Sequence, residues 1–199
     1  GYTPIIKAGQ AISAYGAVGD DPLVAHRETT KQRVMALRDG KRVDIGEGKN
    51  RVIVPASVDD LAAVYAENPT GTLVSGATDV GLWVTKFMRD IGPMIFIGEV
   101  PQMHRIEETD AALTIGAAVT YTEAFDAIGR RLPQLGELWD RIGGEQVRNV
   151  GTIGANIANG SPIGDTPPPL IALGASIVLR RGEARRMVKL EDFFIAYGK

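Results

Sequence analysis

The residues best suited to chemistry lie within 146–175, which reads QVRNVGTIGANIANGSPIGDTPPPLIALGA. Gly151, Gly154, Gly160 and Gly164 punctuate the stretch, interleaved with Thr152, Asn156, Ser161 and Asp165 and followed by Pro167, Pro168 and Pro169. Glycine lets backbone pass close to another group, and short Asn, Ser, Thr and Asp side chains then offer hydrogen bonds toward it. So much glycine also weakens a strand and buries little. A run of tight turns is one reading. A lining around an extended, polar, phosphate-bearing ligand is the other, favoured because long irregular stretches inside compact domains are usually functional.

A second motif, SGATDVG at 75–81, lies between an apolar strand pattern and a helix pattern. Free backbone N–H groups and the helix dipole favour phosphate at such a place. Gly76 permits close approach, and Thr78 and Asp79 can cap the helix. A plain capped strand–helix turn is the alternative. The motif is not a P-loop, because Leu82 rather than Lys follows Gly81. Nor is it GxGxxG, which disfavours a Rossmann NAD site.

Composition closes off other chemistries. The 199 residues contain no cysteine, which excludes disulfides, thiolate catalysis and any iron–sulfur ligand from this chain. Two histidines, His26 and His104, make a histidine-rich metal site implausible, and no GxSxG surrounds a serine that one of them would have to activate. A net charge of −2 gives no reason to expect nucleic acid or an anionic membrane as partner. With neither a membrane span nor a signal-peptide pattern, the expected compartment is the cytoplasm.

The elements that must hold these motifs follow from pattern. Residues 11–48 are charge-rich, broken at Asp20, Asp21 and Pro22, with a helix expected over 29–38; the whole reads as a surface linker. From Arg51 a buried strand runs to Pro55, and Ser57 with Asp60 opens a helix carrying Val58, Leu61, Ala62 and Tyr65 as far as Pro69. A strand over 71–75, a helix over 82–88 and a strand over 93–97 complete a β-α-β-α-β unit, whose crossovers favour parallel strands. Beyond it come a strand at 112–118, a helix opened by the Thr120–Glu123 capping box, and a helix at 133–142. A helix starting at Pro167 and a hairpin around Gly182 follow.

The segment VRNVGTIGANIANGSPIGD, 147–165, closely resembles the VRNxGTIGGNxxxASPxGD signature of the flavin-binding domain of the molybdenum hydroxylases, the relatives of xanthine dehydrogenase and carbon monoxide dehydrogenase. SGATDVG resembles the GGTDL pyrophosphate loop of that family, and GYTPI at the N-terminus resembles the end of its CxGxCxRCTGYxPI cluster helix. Ala155 and Ala77 stand where the family usually has glycine, and Ile142 where an aromatic commonly flanks the adenine. The resemblance covers about 52–199 strongly and 1–10 weakly.

It implies an α+β, two-subdomain FAD-binding fold of the PCMH/VAO type: a small β-α-β-α-β unit plus an antiparallel-sheet subdomain. Residues 1–10 would be the tail of an upstream [2Fe–2S] domain, 11–48 a linker, and 49–199 the FAD-binding domain. That domain divides into 51–100 and 101–199, with a C-terminal subdomain absent. Pyrophosphate would sit on Leu73, Val74, Ser75, Gly76, Ala77, Thr78, Asp79 and Val80. The backbone of Thr152, Ile153, Gly154, Ala155 and Asn156 would face it, and Ser161 and Asp165 would hold cofactor hydroxyls. Gly76 and Gly154 are accordingly expected to matter more for the cofactor than for folding. No catalytic or metal-binding residue is expected in this chain.

The implied role is electron transfer in a xanthine dehydrogenase-like enzyme, from a molybdopterin-binding large subunit or domain through iron–sulfur clusters to FAD and on to NAD⁺ or oxygen. A covalent-flavin oxidase of the same superfamily and a noncatalytic nucleotide-binding domain are the alternatives. Neither histidine lies in a flavin-type loop, which counts against the first; a reducible bound flavin would count against the second.

Overall fold

In the computed structural model, residues 2–17, 19 and 21–196 are described. Gly1 of the GYTPI segment, Asp20 of the expected breaker and the last three residues of the terminal LEDFFIAYGK element lie outside them. The chain divides into two units, 1–41 and 42–199.

The first unit carries helices α1 (Tyr2–Ala11), α2 (Pro22–Ala25) and α3 (Arg27–Met35). Asp21 caps α2 by accepting from the Leu23 N–H at 2.8 Å. Helix α3 begins and ends earlier than the expected 29–38, and no described residue of this unit is buried.

In the second unit, β1 (Val43–Ile45) pairs antiparallel with β2 (Val52–Val54), so part of the stretch read as linker is an edge strand. Next come α4 (Val58–Glu67), β3 (Thr72–Val74), α5 (Val80–Thr85) and β4 (Met94–Phe96). The sheet order is β1-β2-β4-β3, with β2, β4 and β3 parallel, which realises the expected β-α-β-α-β unit. Ile53, Val64 and Ile95 are fully buried at its centre, and Leu61 and Ile97 pack against them.

Helix α4 starts where Ser57 Oγ accepts from the Asp60 N–H at 3.1 Å. The Asp60 carboxylate does not complete a capping box. It accepts from the Ala56 N–H at 2.9 Å and from Arg42 Nε at 3.0 Å, which ties β1's approach to the helix. The Arg42 guanidinium, hydrogen-bonded to it, holds the Asp60 carboxyl below the usual carboxylate range despite the upward push of partial burial. A lowered folded-state pKa gives stability that is fully present above the unfolded value of about 3.9 and disappears as pH falls through the folded value. Arg42→Met should therefore lower stability by about 1 kcal/mol at neutral pH. Below both pKa values the two proteins should differ little, and urea melts across the acid range check this.

The second subdomain opens with the antiparallel pair β5 (Ile106–Glu108) and β6 (Leu113–Ile115). Helix α6 (Tyr121–Arg131) follows with the full expected capping box: Thr120 Oγ1 accepts from the Glu123 N–H at 3.1 Å while Glu123 Oε2 accepts from the Thr120 N–H at 2.7 Å. Burial pushes the Glu123 carboxyl up, but the Thr120 amide and hydroxyl and nearby His104 outweigh it, and its pKa lies below the ordinary value.

Helices α7 (Gly136–Arg141), α8 (Glu145–Arg148), α9 (Ile153–Asn159) and α10 (Pro167–Ala172) lead to the hairpin β7 (Ser176–Arg181) and β8 (Ala184–Lys189). Val119, Tyr121, Ile128, Trp139, Ile142, Ile153 and Leu190 form the core here. The antiparallel part is thus two separate two-stranded sheets, with helices between them in sequence. No helix of the described residues is long and apolar enough to cross a membrane.

Candidate functional site

The two sequence motifs meet. Leu73 and Val74 lie on β3, Val74 buried and Leu73 facing outward; Ser75 follows, buried. Its hydroxyl accepts from Thr152 Oγ1 at 3.1 Å, a buried bond between the two subdomains. One residue on, a Cβ at Gly76 would lie 1.7 Å from the Val150 carbonyl oxygen and 2.6 Å from its carbon. Gly76 is required by the neighbouring loop. The expectation that it serves the cofactor before the fold is corrected by this contact, since its Cβ space is filled by protein backbone.

Ala77 has φ +58°, in the left-handed region that favours glycine. This is one of the two positions where the family's usual glycine is missing, so the departure carries backbone strain. Ala77→Gly should stabilise the protein by about 1 kcal/mol, read as a higher melting temperature. Thr78 is exposed, and Asp79 precedes α5, whose first residue is Val80. The expected cap is not made by Asp79: no side-chain hydrogen bond closes the N-terminus of α5, and the turn is held by the Gly81 N–H donating to the Ala77 carbonyl at 2.8 Å.

The glycine-rich stretch is more helical than its composition suggests. Thr152, buried, pairs with Thr120 in an isolated antiparallel bridge and precedes α9. The Ile153 N–H donates to the Val119 carbonyl at 3.0 Å, the Gly154 N–H to Ala117 at 3.1 Å, and the Asn156 N–H to Thr152 at 3.0 Å. Three of the amides expected to face pyrophosphate are therefore used within the fold. A Cβ on Gly154 would lie 2.5 Å from Ala117 Cα, so this glycine too is demanded by packing. Ala155 is exposed beside it.

Asn156, like Trp139 of the core at its Nε1, carries a buried side-chain atom left without a partner among the described residues. For the Asn156 Oδ1 this arrangement costs stability unless something else satisfies it. A Cβ at Gly164 would stand 3.6 Å from that oxygen, which places Asn156 beside the 160–166 loop. In this loop the Gly164 N–H donates to the Ser161 carbonyl at 3.0 Å and Asp165 is exposed. The structure thus joins Ser75 and Gly76 to 150–152 across the two loops, while Gly154 packs on Ala117 and Asn156 lies by the loop that carries Ser161 and Asp165. An unsatisfied carboxamide oxygen next to the loop that carries Ser161 and Asp165 fits a ligand with hydroxyl or N–H donors.

Several residues of the motif have structural duties that composition did not reveal. Arg148 Nη1 donates to the carbonyls of Gly143 at 2.8 Å and of Asp140 and Ile142 at 3.3 Å, gathering the end of α7. Asn149 Oδ1 accepts from Thr122 Oγ1 at 2.7 Å. Ile142, considered for the adenine flank, is 5% exposed and belongs to the core with Trp139. Tyr121 shares a buried hydrogen bond of 2.7 Å with Thr166, and burial above all raises its phenol pKa, so the hydroxyl keeps its proton.

A groove runs between α4 and the tip of the β7–β8 hairpin, lined by Leu61, Tyr65 and Arg180 among others and reaching Leu73 of β3. Arg180 bridges its rim by pairing with Asp59. Among the described residues no group of acidic, histidine or cysteine side chains could hold a metal ion.

Comparison with known proteins adds an independent line. The profile of the family described as "FAD binding domain in molybdopterin dehydrogenase" matches residues 47–199. The chain is 31% identical over 147 residues to the xanthine dehydrogenase FAD-binding subunit of Escherichia coli O157:H7, covering 72% of this chain and 50% of that protein. It is 29% identical over 160 residues to the xanthine dehydrogenase/oxidase of Gallus gallus, covering 74% of this chain and 12% of the relative. The chain therefore spans about half of the one relative and about an eighth of the other.

Among solved structures, carbon monoxide dehydrogenase of Hydrogenophaga pseudoflava, in a form lacking the Mo-pyranopterin moiety, superposes with a TM-score of 0.69 at 30% identity. That match covers 73% of this chain and 52% of the other. The relatives are oxidoreductases, and the fold is the one their FAD-binding parts adopt. From the matched profile, the shared fold and the two motifs that meet at Ser75 and Thr152, the chain belongs to the FAD-binding domain family of the molybdopterin dehydrogenases.

Proposed function

We propose that the junction of the two loops binds FAD and that the chain serves as the electron-relay portion of a molybdenum hydroxylase. The single observation that supports this reading best is the buried, unpartnered Asn156 Oδ1, which lies by Gly164, one helical turn on from Thr152. Leu73, Val74, Ser75, Gly76, Ala77, Thr78, Asp79 and Val80 form one wall of the proposed site and Thr152, Ile153, Gly154, Ala155 and Asn156 the other, with Ser161 and Asp165 at its edge. Asn156 Oδ1 would accept a hydrogen bond from the cofactor, and Ser161 and Asp165 would hold its hydroxyl groups. The close packing of Gly76 on the Val150 carbonyl and the Ser75–Thr152 bond keep the walls together, and Gly154 seats α9 on Ala117.

Bound FAD would supply the electron chemistry, accepting electrons and passing them to NAD⁺ or oxygen; the chain contributes position and local electrostatics. Its partners in this reading are a molybdopterin-binding large subunit or domain and a [2Fe–2S] domain. The relatives named as FAD-binding and medium subunits support that assignment.

Fluorescence titration with FAD, FMN and riboflavin tests it. FAD should bind and be displaced by ADP, whereas FMN and riboflavin should bind far more weakly. Equal binding of all three would contradict a site built along a dinucleotide.

A further inference from the structure

Tyr121 lies under both ends of the segment that carries Thr152, Asn156, Ser161 and Asp165. Its N–H donates to the Gly151 carbonyl at 3.1 Å, just before that segment. Its ring supports Gly151 from below: a Cβ there would meet Tyr121 Cε2 at 3.4 Å. Its hydroxyl shares a 2.7 Å hydrogen bond with Thr166 Oγ1, and Thr166 directly follows Asp165. Tyr121 is 3% exposed and Thr166 fully buried, so water does not stand in for either partner.

The residue is itself fixed by its surroundings. The Thr120–Glu123 capping box fixes its backbone at the start of α6, and Trp139 packs edge-on against its ring with centroids 5.6 Å apart. Thr120 also bridges to Thr152. The start and the end of the ligand-facing segment are therefore referred to one rigid side chain, while the loop between Gly160 and Thr166 contributes few bonds of its own.

We propose that Tyr121 is a positioning residue for the cofactor: its buried hydroxyl pair with Thr166 sets where Asp165 and the 160–166 loop stand relative to Thr152 and Asn156. The inference rests on the FAD reading given above. A loop released at Thr166 keeps its sequence and its charge but loses its register against the other wall. Cofactor release should then quicken even where folding is unharmed.

The test uses Tyr121→Phe, Thr166→Val and the double variant in the 199-residue chain. Each single variant leaves one buried hydroxyl unpaired and should lower the melting temperature; removing both should restore most of it, because apolar groups of similar shape then face each other. FAD affinity should remain at least about tenfold weaker in the double variant, with the change in the dissociation rate. A double variant that regains its melting temperature and binds FAD like the unsubstituted chain would overturn the proposal.

A second measurement stands whether or not the melting temperature recovers. Asp165→Asn should weaken FAD binding in the unsubstituted chain and have much less effect in the Tyr121→Phe background. Additive losses would show that the pair does not act through Asp165 and would likewise overturn it. Failure of the unsubstituted chain to bind FAD would instead remove the functional reading, and this inference with it.

Discussion

Gly76→Ala is expected to lower the melting temperature of the ligand-free protein by about 10 °C, from a stability loss of about 2–4 kcal/mol. The added Cβ would sit 1.7 Å from the Val150 carbonyl oxygen, and backbone cannot swing aside as the end of a flexible side chain can. One loop must move away from the other, and the buried Ser75–Thr152 bond would stretch with it. Gly81→Ala is the matched control, because a Cβ there meets nothing within 4 Å and the residue lies inside α5. That change should be neutral or slightly stabilising. Thermal melts of both variants without FAD decide the point. A Gly76→Ala protein that melts with the unsubstituted chain would mean that 75–77 and 150–152 are not in contact.

Asn156→Leu should act in the opposite sense on folding. Leucine has nearly the shape of asparagine without the carboxamide, so the change removes an acceptor that is buried and unsatisfied. The ligand-free protein should gain about 1–2 kcal/mol, while FAD binding should weaken by about tenfold or more as the acceptor is lost. A stabilised chain with a damaged site is the signature of a polar group retained for binding. If the variant is less stable and binds FAD unchanged, Asn156 belongs to the fold alone. Calorimetric titration with FAD beside a denaturant melt gives both quantities.

Elements with local signals were legible in the sequence: Ser57 and Thr120 announced α4 and α6, and the apolar runs around Ile53, Leu73 and Ile95 announced the parallel strands. Strand β1 was not, because Val43, Asp44 and Ile45 are all exposed and lean on an edge pairing with β2. Helix α9 was hidden for a related reason. IGANIAN has poor intrinsic helix propensity, and its start is fixed by the Ile153 and Gly154 amides bonding to Val119 and Ala117 in another part of the chain.

The glycines of the site were found by type but not by cause. A sequence shows that Gly76 and Gly154 need room; it does not show that Val150 and Ala117 occupy it. Ala77 was legible as a departure from the family pattern, and only its φ of +58° turns that departure into strain. Asn156 was chosen as a polar residue in a glycine-rich run, whereas its burial without a partner is a property of the folded chain. Family membership needed none of this, because 147–165 carries it almost letter by letter.

Hydrogen exchange with and without saturating FAD decides whether one ligand lies along both loops. Amides of 75–81 and of 155–165 should gain protection together, since one ligand would lie along both loops. Those of α4 and the β7–β8 hairpin, which line the groove between them, should exchange as before. Protection confined to that groove, or gained by only one of the two loops, would contradict an FAD site at the Ser75–Thr152 junction.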